Sequence, residues 1–456
     1  MATKDGSQWS TLHWQRQLET FGTNDDAISA QGPKGETDGI CTHGEITDKG
    51  RETTLLLGQR LRTLYVDQLK YLPPIISSPD LVQLRATGMP RALESVQQTF
   101  WGLYPLPART ATFPPPPIIT RTFQDETLYP NEPACKRFSQ LVKQFADRCS
   151  ARWNDSPEMH YLSRKLSRWM PDFQPVKLDS HPRLSGIMDH TNSTLAHGPE
   201  TRLPAEFYEP KVREIIDKIT VEEWFAGYSH SNEYRTLGIG ALAGDIVARF
   251  ISNVERSGNP AKSSMSAVGN DSSQGLENRG EKDPLISLSG CHDTTLAALL
   301  ASLGAFKGEK WPPYTSHIAI ELFHDTAPGN ASVPPLTATS QTKTPTTGTL
   351  TSWLGLGQAK QVAATGIRRK PLSDLTDAEK QRLGGYFVRL RYNDRPVTIP
   401  GCKPASKHWR DDETFCTLEA FKGIVDKFTP KNWKEECLSN LDRKVREEIE
   451  VVGTAE

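Results

Sequence analysis

Apolar residues in the first quarter of the chain recur at helical spacing: Leu57, Leu61, Leu64, Tyr65 and Leu69 share one face and predict a long amphipathic helix opening near Thr47. Before it, residues 1–45 are polar and Gly-rich after an early patch from Trp9 to Trp14, and no strand is expected there. A short apolar run at 81–84 predicts a strand that ends in Arg85-Ala86-Thr87, and Pro90 suits the first turn of a helix over 91–101. The prolines at 114–117 form an extended spacer ahead of a short strand at 118–120. From 125 to 255 the pattern turns helical, with amphipathic stretches near 135–153, 200–219 and 234–251, and predicts a helical cap inserted into an α/β core. That core takes residues 1–124 and 284–456, and 256–283 form a flexible linker. Residues 325–384 are too poor in apolar side chains to pack and read as a low-complexity loop. On either side of it, strands near 318–323 and 386–392 look like a hairpin with a greatly lengthened connection.

One further alternation carries chemistry. Leu285, Ile286 and Leu288 stop at Gly290, His292 and Asp293 follow, and Thr294 or Thr295 opens an Ala/Leu helix that Gly304 can close. Such a strand–site–helix switch places unpaired N–H groups and partial positive charge where an anion can bind. The segment around Arg85 has the same grammar, so the two crossings can converge on one pocket. Arg85 would supply a charged planar fork for phosphate oxygens, His292 a second donor, and Asp293 a proton for a leaving group. Taken singly, an arginine at a strand end is a surface or ion-pair residue and a His-Asp dipeptide is incidental or a cap; the matching context raises the reading as a site to equal weight.

Charge and composition narrow the field. The 54 basic and 55 acidic residues nearly cancel, so no global field recruits nucleic acid or an anionic membrane. No apolar run approaches the ~20 residues of a spanning helix, and the first residues lack the apolar core of a secretory signal; the chain as written reads as soluble and unaddressed. Seven cysteines without CxxC spacing argue against a zinc site and a dense disulfide framework, leaving one pair, Cys402 with Cys416, as a candidate bridge.

Four segments, Leu-Arg-Ala-Thr-Gly-Met-Pro-Arg-Ala-Leu-Glu-Ser (84–95), Ser-Gly-Cys-His-Asp-Thr-Thr (289–295), Trp-Pro-Pro-Tyr (311–314) and Glu-Leu-Phe (321–323), occur in an order that resembles the histidine acid phosphatases, branch 2 of the histidine phosphatase superfamily. The helix opening at 46–50 and the Pro400-Gly401-Cys402 segment look most like the lysophosphatidic-acid-phosphatase type. The resemblance implies a phosphoglycerate-mutase-like sheet core with helices on both faces and an inserted, mainly helical cap. It also implies hydrolysis of a small phosphomonoester through a phosphohistidine, with no metal or other cofactor. Arg85 and His292 would contact the phosphoryl group, and Asp293 would protonate the leaving alcohol.

The nucleophile of that family lies in an Arg-His-Gly-x-Arg motif, which this sequence lacks. At Thr42-His43-Gly44-Glu45-Ile46, Thr42 and Ile46 occupy both arginine positions, and His43 reads as a bystander in a loop. His197-Gly198 has the same defect. The expectation is a chain that begins late in the family pattern, turns over weakly or not at all, and leaves a strand edge open; the alternative is a pseudophosphatase that binds phosphate esters. Cys291 reads as core packing, His181-Pro182-Arg183 and His190 as a solvated connection near the cap, and Glu222-Glu223 as a solvated helix face rather than paired catalytic acids.

Overall fold

The computed structural model describes residues 19–21, 27–31, 35, 44–257, 284–306, 310–326 and 366–443. The Trp9 to Trp14 patch, Cys41, His43 and most of the 256–283 and 325–384 stretches lie outside the described residues. The chain divides into two compact units: Met1–Ala226 with Glu281–Ala297 and Gly308–Ser316, and Gly227–Gly280 with Ala298–Lys307 and His317–Glu456.

In the first unit, β1 (Glu19–Phe21) pairs antiparallel with β2 (Ala27–Ser29), where the polar composition predicts no strand. All three residues of β2, Ala27–Ser29, are exposed. Helix α1 (Asp48–Arg62) opens on Thr47, whose side chain accepts from the Gly50 N–H. Its continuation, Thr63–Gln68, is π-helical. The wider turn rotates the face that spacing assigns to Leu69, so Val66 is buried and Leu69 is 52% exposed.

Strand β3 (Val82–Ala86) leads to α2 (Pro90–Leu103), with Pro90 in its first turn as expected. β3 lies between β4 (Ile118–Ile119) and β5 (Ile286–Gly290), parallel to both. Among the described residues β5 pairs with no other strand, and Ile286 and Leu288 are half-buried. Leu57, Leu61, Val82, Leu84, Val96 and Phe100 form the core behind this sheet. A second core belongs to α3 (Lys136–Trp153), α4 (Pro157–Leu166), α5 (Leu184–His197) and the first part of α6 (Pro210–His230), around Leu162, Leu166, Leu184 and Ile219. Glu223 on α6 is buried against Arg183 rather than solvated, while Glu222 pairs with Arg152; the adjacent acids diverge but neither is a bare surface charge.

The second unit holds α7 (Asn232–Arg235) and α8 (Ala241–Ser257), which with the π-helical turn between them make an apolar helical run, 232–256, long enough to cross a membrane. Arg235, Asp245 and Arg249 interrupt it in sequence, which is why no apolar run stood out, and Leu237, Ile239, Val247 and Ile251 are buried in the protein's own core. Helix α9 (Asp293–Ser302) passes from the first unit's residues to the second's and ends before Gly304, whose φ of +67° permits the reversal. The expected long-range hairpin is present: β6 (Ile318–His324) pairs with β7 (Tyr386–Tyr392) in antiparallel register from Ile318↔Tyr392 to His324↔Tyr386. β8 (Arg395–Val397) pairs with β7, and β10 (Asp412–Thr417) joins β7 to β9 (His408–Trp409).

Residues 366–384, read as part of a loop, instead pack. Ile367, Leu375 and Leu383 are buried, and α10 (Asp377–Gln381) carries a capping box between Thr376 and Glu379. Three well-spaced apolar residues and a strong cap suffice where average composition predicts no order. Cys402 and Cys416 are bridged, with Cα atoms 5.1 Å apart.

Helices α1 and α2 meet glycine to glycine. A Cβ at Gly58 would lie 2.0 Å from the Thr99 carbonyl oxygen and one at Gly102 2.2 Å from that of Leu55, so backbone touches backbone. Gly102→Ala is expected to destabilise the protein by about 1–3 kcal/mol, as overpacking does. Chemical denaturation checks it; an unchanged midpoint would mean that the helices can part at no cost.

Candidate active site

Parallel pairing brings the two sequence switches side by side. In the β3–β5 register Arg85 lies opposite Ser289 and Ala86 opposite Gly290, so both strands end at the same level. The Thr87 N–H then donates to the Gly290 carbonyl (3.2 Å), and the Thr87 hydroxyl hydrogen-bonds His292 Nε2 (3.0 Å). Gly290 permits this convergence because α2 crosses directly over it: a Cβ there would meet the Ala92 carbonyl oxygen at 2.3 Å.

The expected cap differs by one step. Helix α9 begins at Asp293 rather than at Thr294 or Thr295, and the His292 carbonyl accepts from the N–H groups of Thr295 and Leu296. Asp293 therefore sits in the first turn, where a carboxylate suits the helix dipole. Both its oxygens are engaged: Oδ1 accepts from the Thr294 N–H (2.8 Å) and Oδ2 from the Trp311 indole N–H (2.6 Å). Trp311 packs on the second core of the unit, with its ring 4.9 Å from that of Phe225.

Arg85 is 4% exposed and ion-paired to the equally buried Glu126. Burial pushes the His292 imidazole below its ordinary value, the Arg91 charge adds to this, and Asp293 and Glu126 oppose it. The ring also meets Tyr129 edge-on, with centroids 5.6 Å apart. Cys291 is free, and burial pushes its thiol up to about 11, so it is not a thiolate nucleophile at neutral pH. His197 closes α5, and His43 lies outside the described residues; the carbonyl of its neighbour Gly44 accepts from the Arg91 N–H (3.0 Å).

Arg85, His292 and Asp293 thus gather in one place. Thr87, Arg91 and Trp311 lie in the segments that carry the family resemblance, but nothing in their spacing announces a role. Glu126 and Tyr129 sit in a polar loop that no motif marks.

An arginine, an imidazole and a carboxyl group therefore lie together at adjoining strand ends of the parallel sheet. Residues 3–343 match the family described as histidine phosphatase superfamily (branch 2). A probable acid phosphatase of Schizosaccharomyces pombe is 33% identical over 438 residues, 95% of this chain and 84% of its own length. Human lysophosphatidic acid phosphatase type 6 is 25% identical over 282 residues, spanning 61% of this chain and 57% of that protein. The phytase of Hafnia alvei bound to tartrate shares the fold, with a TM-score of 0.51, 12% identity, and coverage of 87% of this chain and 89% of that one. The chain belongs to branch 2 of the histidine phosphatase superfamily.

His292 also sets a pH response. Its folded-state pKa is depressed, so below its ordinary value near 6.5 the unfolded chain binds the proton more readily, and stability falls as pH drops through that value. Urea unfolding at pH 7.5 and pH 5.5 should show a smaller acid-side loss in His292→Asn than in the unsubstituted protein; equal losses would refute the assignment.

Proposed function

We propose that this chain is a phosphomonoesterase of the phosphohistidine type in descent and architecture, and that it retains the phosphate-contacting and proton-donating half of that site. The convergence of Arg85 with the His292–Asp293 turn through the Thr87–His292 hydrogen bond (3.0 Å) carries this reading. In it Arg85 and His292 contact the phosphoryl oxygens, where fixed positive charge and N–H donors favour the charge of the transferring group. In the weak turnover left to this chain, water bonds to phosphorus and releases a proton to solvent as the P–O bond to the ester oxygen breaks, and Asp293 delivers its proton to the leaving alcohol. Protonation at Oδ1 gives up only the local Thr294 contact and leaves the Trp311 bond in place. The first unit's helices after residue 125, α3 to α5 and the first part of α6, act as a cap that selects the alcohol.

Turnover by this chain is weak, because the sequence holds no Arg-His-Gly-x-Arg to supply the attacking imidazole and its flanking cations. A pseudophosphatase that binds phosphate esters without forming a phosphoenzyme is the second reading, favoured by the same missing motif. Purified chain should hydrolyse an aryl phosphate below about 0.01 per second, a thousandfold under an ordinary enzyme. It should still bind inorganic phosphate, and Arg85→Ala should weaken that binding at least about tenfold. Robust turnover lost in His43→Ala would make His43 the nucleophile and overturn the bystander reading; phosphate binding indifferent to Arg85→Ala would overturn the site.

A further inference from the structure

Residues 126–131 bond to both halves of the site. Glu126 is 2% exposed. Its Oε1 accepts three donors at once: Arg85 Nη2 (2.7 Å), the Thr127 N–H (2.8 Å) and the Leu128 N–H (2.7 Å). Thr127 Oγ1 accepts from the same Arg85 Nη2 (3.1 Å) and from Arg121 Nη1 (2.8 Å). Two residues on, the Leu128 carbonyl accepts from the Thr295 hydroxyl of α9, and the Tyr129 ring stands against His292. Asn131, 1% exposed, fixes the segment's own path by donating to the carbonyls of Phe123 (2.6 Å) and Glu126 (3.2 Å).

A carboxylate beside a phosphate site is unfavourable by charge alone, since it repels the ligand and offsets the arginine. Its value must therefore lie in what it does to Arg85. An arginine stem has several rotatable bonds, and a guanidinium orientated before the ligand arrives binds with less ordering cost. Oε1, fixed by two backbone N–H groups of its own loop, is a rigid anchor for Nη2, and Thr127 adds a second acceptor to the same nitrogen.

We propose that Glu126 is a positioning residue for Arg85, setting the plane of the guanidinium that a phosphate monoester meets, through the place of its carboxylate oxygen rather than through its charge. This rests on the reading of Arg85 as the phosphate-contacting arginine, and the test separates the two. Inorganic phosphate is titrated into the full chain by calorimetry, with an unliganded melt for each variant. Glu126→Asp keeps the charge but withdraws the oxygen by one methylene, and should weaken binding about tenfold. Glu126→Gln keeps the reach and an acceptor oxygen without the charge, and should bind within about threefold of the unsubstituted chain. A merely structural role would lower the melts and leave phosphate affinity alone. The proposal fails if Glu126→Asp binds normally while Arg85→Ala has lost binding, or if Glu126→Gln is as weak as Arg85→Ala. If Arg85→Ala itself binds normally, the phosphate-site reading fails first. Should Glu126→Asp not fold, Thr127→Val removes the second acceptor on Nη2 without stranding a charge; it should cost about threefold, and unchanged affinity there overturns the proposal.

Discussion

The candidate site depends on one backbone arrangement, the parallel pairing of β3 with β5 in the register that sets Ala86 opposite Gly290. A parallel ladder fixes where two distant parts of the chain stop, and here both stop at the edge from which α2 and α9 depart. Because side chains alternate between sheet faces, a shift of one residue would send Arg85 to the opposite face and separate Thr87 from the His292 turn. Gly290 enforces the register from above, since only a residue without a Cβ leaves room for the Ala92 carbonyl. The Gly58–Gly102 contact then holds α2 down through α1.

Sequence pattern reveals much of this, for physical reasons that also mark its limits. Strand β3, the Pro90 start of α2, the β5–α9 switch and the β6–β7 hairpin are local alternations bounded by Pro, Gly or abrupt polarity, and such signals need no tertiary partner. The candidate Cys402–Cys416 bridge also forms. Leu69 misleads because a π-turn changes the helical period without changing composition. The packed stretch 366–384 is missed because average polarity hides three apolar anchors. Glu223 is missed because its counter-ion, Arg183, lies forty residues away and nothing local signals the pairing.

The same distinction separates the candidate residues. Arg85, His292 and Asp293 sit at strand ends or a helix start, positions whose backbone role is visible in the chain itself. Glu126, Tyr129 and Trp311 reach them by contacts made across the fold: a carboxylate on a guanidinium, a ring edge on an imidazole, an indole N–H on a carboxylate. A loop residue whose burial depends on hydrogen bonds to an arginine forty-one residues away has no local signature.

Electrostatic balance explains why these supports are needed. Arg85 is almost wholly removed from water, and an uncompensated guanidinium there would cost several kcal/mol. Glu126 compensates it, yet a carboxylate free to rotate would follow the guanidinium and cancel its pull on an incoming anion. Two backbone N–H groups on the same oxygen restrain it, so the ion pair has one orientation before any ligand arrives. His292, held below its ordinary pKa, adds a donor without adding a second permanent cation to the buried site. The buried ion pair is thus set in advance, and in the proposed reading the oxygens of a phosphoryl group would meet donors already in place.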